Sequence, residues 1–106
     1  MHDLKWSQAE KKIARRVFEA ALAVELSEVL SELKERAAAA AEPDDMWSIE
    51  RYLQRRRLEI DQKYDYRYSQ LPLVFGHLLG EGRIQVEQLS GLSEDKLAYI
   101  DRIASR

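Results

Sequence analysis

The sequence predicts an all-α fold led by one long N-terminal helix. Three observations carry that expectation. Gly and Pro are scarce, 4 and 2 of 106 residues, and the stretch from Gln8 to about Ala41 contains neither. Charged residues make up 34% of the chain, above the usual quarter, which suits helices with wet faces better than a β-sandwich. The one alternating segment, Arg83-Ile84-Gln85-Val86, is too short and isolated to read as a strand.

Trp6 precedes Ser7-Gln8-Ala9-Glu10, a capping box in which the Ser7 hydroxyl and the Glu10 carboxylate each satisfy a free backbone donor. Beyond it Ala, Leu, Glu, Lys and Arg dominate, all good helix formers. Glu32 and Arg36 stand four apart in the favourable order. Such a helix is on the order of 50 Å long at ~1.5 Å per residue. A compact domain of this size is only roughly 26 Å across. Two apolar rows run along the helix: Ile13, Val17, Ala21 and Val24, then Phe18, Leu22, Leu26, Val29 and Leu33. One short second helix cannot cover both, so length and rows together imply a partner chain.

Ala37 to Ala41 and then Glu42-Pro43 end this helix, because Pro43 disfavours a helical conformation at Glu42. The second helix is expected from Asp44 or Asp45 to about Lys63, with its acids at the positive end of the helix dipole. Ile49, Leu53, Ile60 and Tyr64 share one face. Position 56 would complete that face, and it holds Arg. Trp47, Arg51, Arg55 and Leu58 form a second face, which is read as the working surface. Tyr64-Asp65-Tyr66-Arg67-Tyr68-Ser69 is an aromatic, polar junction. Either Asp65 or Ser69 is available to cap the third helix; Ser69 places Pro72 in the first turn, where its missing N–H costs nothing. Leu71, Leu73, Val74, Phe75, Leu78 and Leu79 make that helix the most apolar stretch, and Gly80-Glu81-Gly82 stops it. Val86 to Leu89 reads as one turn. Ser93 caps a last helix with a Leu97, Ile100, Ile103 stripe.

Composition removes several function classes. The net charge of −2 supplies no basic field for nucleic acid. There is no Cys, hence no disulfide and no thiolate chemistry, which fits a reducing cytoplasm. No apolar run approaches the ~20 residues of a membrane span, and Met1 to Lys12 lacks the apolar core of an export signal. His2 and His77 are the only histidines, and His77 reads as a packing or surface residue. No HExxH, Walker or Gly-x-Gly-x-x-Gly pattern occurs. Asp44 and Asp45 read as a helix cap rather than a metal site. Arg55-Arg56-Arg57 spans nearly a helical turn, so its charges diverge, and Glu50, Glu59 and Asp61 interrupt them. No catalytic residue, metal or cofactor is expected. The chemistry favours a helical interaction protein over an enzyme.

Longer motifs add to this reading. Trp6-Ser7-Gln8-Ala9-Glu10, Asp45-x-Trp47 and Arg57-x-Glu59-Ile60-Asp61-x-Lys63-Tyr64-Asp65, followed by Val74-Phe75, Leu78-Leu79, Glu81-Gly82 and Glu87-x-Leu89, resemble the fluorescence recovery protein family of cyanobacterial photoprotection. The resemblance covers nearly the whole chain without a gap. It implies a single all-helical domain over 1–106, with residues 7–64 as a long-helix dimerisation stalk and 65–106 as a small helical head. It implies a homodimer, with higher oligomers open. It also implies binding to photoactivated orange carotenoid protein, faster return of that protein to its orange form, and an end to quenching of the phycobilisome. No bond is made or broken in that activity.

The resemblance also names positions. Trp47 and Arg57 match the family's dimer-proximal functional patch. Where well-known members have His and then Asp, this chain has Glu50 and Arg51. The second change replaces an acceptor that can pair with Arg57 by a donor that cannot, and Glu50 points about 100° away around the helix. In the head, a family Phe is Leu73 and a family Lys is Tyr99, both at positions tied to carotenoid-protein binding. Two function classes follow: a regulator of the orange carotenoid protein, or a helical dimeric adaptor on the same scaffold with a different protein partner.

Overall fold

The structure, a computed structural model, describes residues 5–106. It holds α1 (Gln8–Ala39), α2 (Pro43–Lys63), α3 (Leu71–Gly80), a single 3-10 turn (Val86–Leu89) and α4 (Glu94–Ala104), and no strand element among the described residues. The all-α expectation is met. The described residues cluster into two compact units, one of α1 up to Ala21 with Tyr64–Arg106, the other Leu22–Lys63.

The first unit begins with the expected capping box. The Ser7 N–H donates to Glu10 Oε1 at 3.0 Å, and the Glu10 N–H donates to Ser7 Oγ at 3.1 Å. Ala14, Val17 and Phe18 are then buried on α1, with Leu71, Phe75 and Leu78 of α3 and Ile100 and Ile103 of α4. α3 packs on α4 at a small-residue contact: a Cβ on Gly76 would stand 2.4 Å from Ile103 Cβ. Gly76→Ala should therefore destabilise the protein by about 1–3 kcal/mol through overpacking. Urea melts followed by helical circular dichroism measure this, with Gly80→Ala, whose nearest contact is 3.2 Å, as the milder comparison.

The end of α3 shows why Gly follows it. The Arg83 N–H donates to the Leu78 carbonyl at 2.9 Å and the Gly82 N–H to the Leu79 carbonyl at 3.1 Å. This Schellman pattern needs a left-handed residue, and Gly82 has φ 76°. At the start of α4 the Ser93 hydroxyl accepts from the Lys96 N–H, as expected, and Ile100 and Ile103 are buried while Leu97 is half-buried.

The start of α3 differs from expectation. Neither Asp65 nor Ser69 caps it; Gln70 occupies the cap position with no side-chain bond. The Asp65 carboxylate is held instead by the Arg67 guanidinium, whose Nε donates at 2.9 Å. The Arg67 carbonyl receives the N–H groups of Gln70 and Leu71 at 2.8 and 3.0 Å, closing the turn from the backbone. Pro72 does sit in the first turn. Residues 64–67 carry no regular secondary structure, and their alternate tyrosines meet one face of α1. Phe18 lies edge-on to Tyr64 and Tyr66, Tyr68 packs against Trp6, and the Arg15 guanidinium lies 4.9 Å from the centre of the Tyr66 ring.

In the second unit α1 stops at Ala39 rather than about Ala41. The N–H groups of Ala41 and Glu42 donate to Asp45 Oδ2 at 2.8 and 2.9 Å, so they serve the start of α2 instead of extending α1. These two bonds hold the Asp45 carboxyl below its ordinary pKa. α2 begins at Pro43, slightly earlier than expected, where proline's fixed φ suits the first helical position.

The gap in the α2 stripe has a structural answer. Ile60 is buried, and Ile49 and Leu53 are half-buried. Arg56 completes the face by meeting Glu25 of α1, whose side chain is 1% exposed: Arg56 Nη2 donates to Glu25 Oε2 at 3.0 Å, and Lys63 Nζ lies 2.8 Å from Glu25 Oε1. Burial pulls the Arg56 pKa down, but the bonds and charge of Glu25, then those of Glu59, more than reverse it. A slip of α1 against α2 would strand this buried carboxylate away from its two cations, at a cost of several kcal/mol.

Candidate functional site

The working face foreseen on α2 is open in this structure. Trp47 is 54% and Leu58 59% exposed, and Arg51 and Arg55 between them are exposed as well. The acids of the first turn and the Asp45 cap start the helix so that positions 47, 51, 55 and 58 fall in line, away from the Ile49, Leu53, Arg56, Ile60 face.

The three consecutive arginines separate as the helical repeat demands. The Arg55 guanidinium lies 5.7 Å from the centre of the Tyr52 ring. Arg56 turns inward to Glu25. Arg57 is 85% exposed, with Nε 3.9 Å from Asp61 Oδ2, an exposed pair that contributes little. Glu50 is exposed, and Arg51 has no ion-pair or hydrogen-bond partner among the described residues. Trp47, Glu50, Arg51 and Arg57 therefore all lie exposed on one helix, with Arg57 turned toward Asp61.

The two head positions belong to the other unit. Leu73 is half-buried on α3 and Tyr99 half-buried on α4, where the Arg102 guanidinium lies 5.6 Å from the ring centre. His77 is exposed on α3, while His2 lies outside the described residues. Among the described residues no three or more His, Cys, Asp or Glu side chains gather as a metal site would require. The arrangement offers aromatic, apolar and cationic contact surface, which suits binding rather than bond chemistry.

Two buried charge clusters escaped the sequence reading. One is Glu25 with Arg56 and Lys63. The other is Glu10, whose capping-box carboxylate also accepts from the Ser93 N–H at 2.9 Å and from Lys96 Nζ at 3.1 Å. Lys96 is buried, donates to the Lys5 carbonyl at 2.7 Å and lies 4.9 Å from the centre of the Trp6 ring. The available signals were Arg56 inside an apolar stripe and Lys96 in line with Ile100 and Ile103.

Comparison with known proteins agrees with this architecture. A family described as the photoprotection regulator fluorescence recovery protein matches residues 6–104. This chain belongs to the fluorescence recovery protein family. The fluorescence recovery protein of Synechocystis sp. PCC 6803 is 39% identical over 99 residues, 93% of this chain and 91% of that protein. The structure of the Fremyella diplosiphon fluorescence recovery protein superposes with a TM-score of 0.89 at 33% identity, covering 96% of this chain and all of that one. The Synechocystis fluorescence recovery protein structure gives 0.89 at 38% identity with the same coverage of this chain. The fluorescence recovery family is thus a regulatory one. Among the described residues no helix is long and apolar enough to cross a membrane.

Proposed function

We propose that the chain is a cytoplasmic, homodimeric regulator that docks photoactivated orange carotenoid protein through the Trp47 face of α2. Docking speeds the partner's return to the orange form and ends quenching of the phycobilisome. The carrying observation is an exposed Trp47-Arg51-Arg55-Leu58 face on a chain of the fluorescence recovery family. Residues 7–64 act as the dimerisation part and 65–106 as the head, in which Leu73 and Tyr99 add contacts. Support for the dimer comes from Leu26 and Leu30, four apart on one face of α1 and each about half exposed, since neighbouring exposed apolar side chains mark an association surface. Glu50 and Arg51, in place of the family's His and Asp, favour a second reading, a dimeric adaptor for a different protein.

The test is to mix the purified chain with photoactivated orange carotenoid protein and time the dark recovery of the orange spectrum. Trp47→Ala should weaken binding by about 2 kcal/mol, as for a typical aromatic anchor. Its helical circular dichroism and its sedimentation should match the parent. If the variant unfolds or dissociates, Trp47 serves the fold or the dimer instead.

A further inference from the structure

The exposed Trp47-Arg51-Arg55-Leu58 face of α2 carries two arginines and no acid. Arg51 and Arg55 stand one turn apart on α2, about 6 Å along the axis. Like charges at that spacing repel each other. The residues three and four away from Arg51 are Trp47, Ser48, Gln54 and Arg55, so no carboxylate on its own helix reaches it. Glu59, four beyond Arg55, faces Arg56 at 3.4 Å. Arg55 and Arg56 reach Tyr52 and Glu25, and Arg57 leans toward Asp61, whereas Arg51 has no side-chain hydrogen bond, ion pair or ring contact among the described residues. Two apolar groups bracket the cations, Trp47 and Leu58, about 16 Å apart along the axis.

We infer that Arg51 is a specificity-determining residue and that the protein surface this face accepts is acidic. That surface presents two carboxylates about one helical turn apart, between sites for an aromatic and an aliphatic side chain. The inference rests on the Trp47 face being the docking surface, as proposed above. A planar guanidinium accepts a carboxylate in two parallel bonds, which adds orientation to attraction. A free cation at a contact also rejects a partner shaped for an acid there, which is how charge excludes wrong partners. The polyanionic backbone of nucleic acid is the other chemistry for an arginine pair. It is disfavoured because Glu50 and Glu59 interrupt the basic surface and Trp47 and Leu58 close its ends.

The experiment uses the full chain, Arg51→Gln and Arg51→Glu, each first checked for parental circular dichroism and sedimentation. Two probes are titrated. One is photoactivated orange carotenoid protein. The other is a labelled helical peptide with two Glu four residues apart, flanked by Leu, beside a twin carrying Lys at both places. Titrations run at about 0.01 M and about 0.15 M salt, where the Debye length falls from roughly 30 Å to roughly 8 Å. The parent should prefer the Glu peptide. Arg51→Gln should weaken binding of the carotenoid protein and of the Glu peptide by about tenfold, Arg51→Glu by more, and both should flatten the salt dependence. If the carotenoid protein binds and Arg51→Glu leaves its affinity unchanged or tighter, the inference is overturned while the proposed function stands. If the carotenoid protein does not bind but the Glu peptide does, through Arg51, the proposed function fails and the inference holds. Binding of neither probe, equal binding of both peptides, or displacement of the Glu peptide by a duplex oligonucleotide overturns the inference.

Discussion

Glu25→Ala should destabilise the Leu22–Lys63 unit by about 3 kcal/mol, because it takes the buried counter-charge from two inward-facing cations and leaves Arg56 the half-exposed Glu59 alone. This is the low end of what breaking a buried pair costs. The Arg56 and Lys63 side chains keep 20% and 18% of their exposure, so water takes up part of the loss. Removing the charge in concert should cost far less. In Glu25→Leu with Arg56→Leu no desolvated pair remains, and the long Lys63 stem can carry its head to solvent. Urea and thermal melts of the parent, Glu25→Leu, Arg56→Leu and the double variant give the coupling. If the double variant is no better than Glu25→Ala, the carboxylate is not what holds the register.

Glu10→Gln should cost the first unit up to about 3 kcal/mol, since it removes the counter-charge of Lys96, which is 3% exposed, and leaves that ammonium one neutral amide oxygen, the Lys5 carbonyl and the Trp6 ring. The pH dependence has a definite sign. Burial pushes the Glu10 pKa up, but the backbone bonds from Ser7 and Ser93, with the bond and charge of Lys96, carry it below the ordinary value. A carboxylate whose folded pKa is depressed stabilises the fold fully above its unfolded pKa, about 4.3 for Glu. That contribution is lost as pH falls through the lower, folded value. The parent should therefore lose stability on acidification, and Glu10→Gln should lose less over the same range. Lys96→Met added to Glu10→Gln should recover part of the loss by removing the stranded cation. Parallel acid dependence in parent and Glu10→Gln would show that the loss comes from other carboxylates.

What could be read from the sequence was local. The Ser7–Glu10 box, the Ser93 cap, the Gly80-Glu81-Gly82 stop and the turn at Val86–Leu89 each depend on residues within one helical turn. Their side chains meet the same backbone groups whatever the rest of the chain does. The exposed α2 face was legible for a related reason: it follows from the helical repeat once the start of α2 is set. The long-range pairs were not legible. Arg56 stood out inside the apolar stripe, but nothing nearby singled out Glu25, 31 residues away. Lys96 shares a face with Ile100 and Ile103, yet its partner lies 86 residues back. The α3 cap went astray through local competition: Arg67, two residues on, took the Asp65 carboxylate, and a backbone carbonyl then closed the turn.

The chain's two tryptophans fall one to each unit and in opposite surroundings. Trp6 is tucked beside Tyr68 and the Lys96 ammonium, with its indole nitrogen shielded from water, whereas Trp47 stands largely in solvent. Their emission should differ in colour without any label. Substituting either one by Phe leaves a native optical reporter for a single unit. Loosening around α4 can then be followed in Trp47→Phe and engagement of the α2 face in Trp6→Phe, as separate signals.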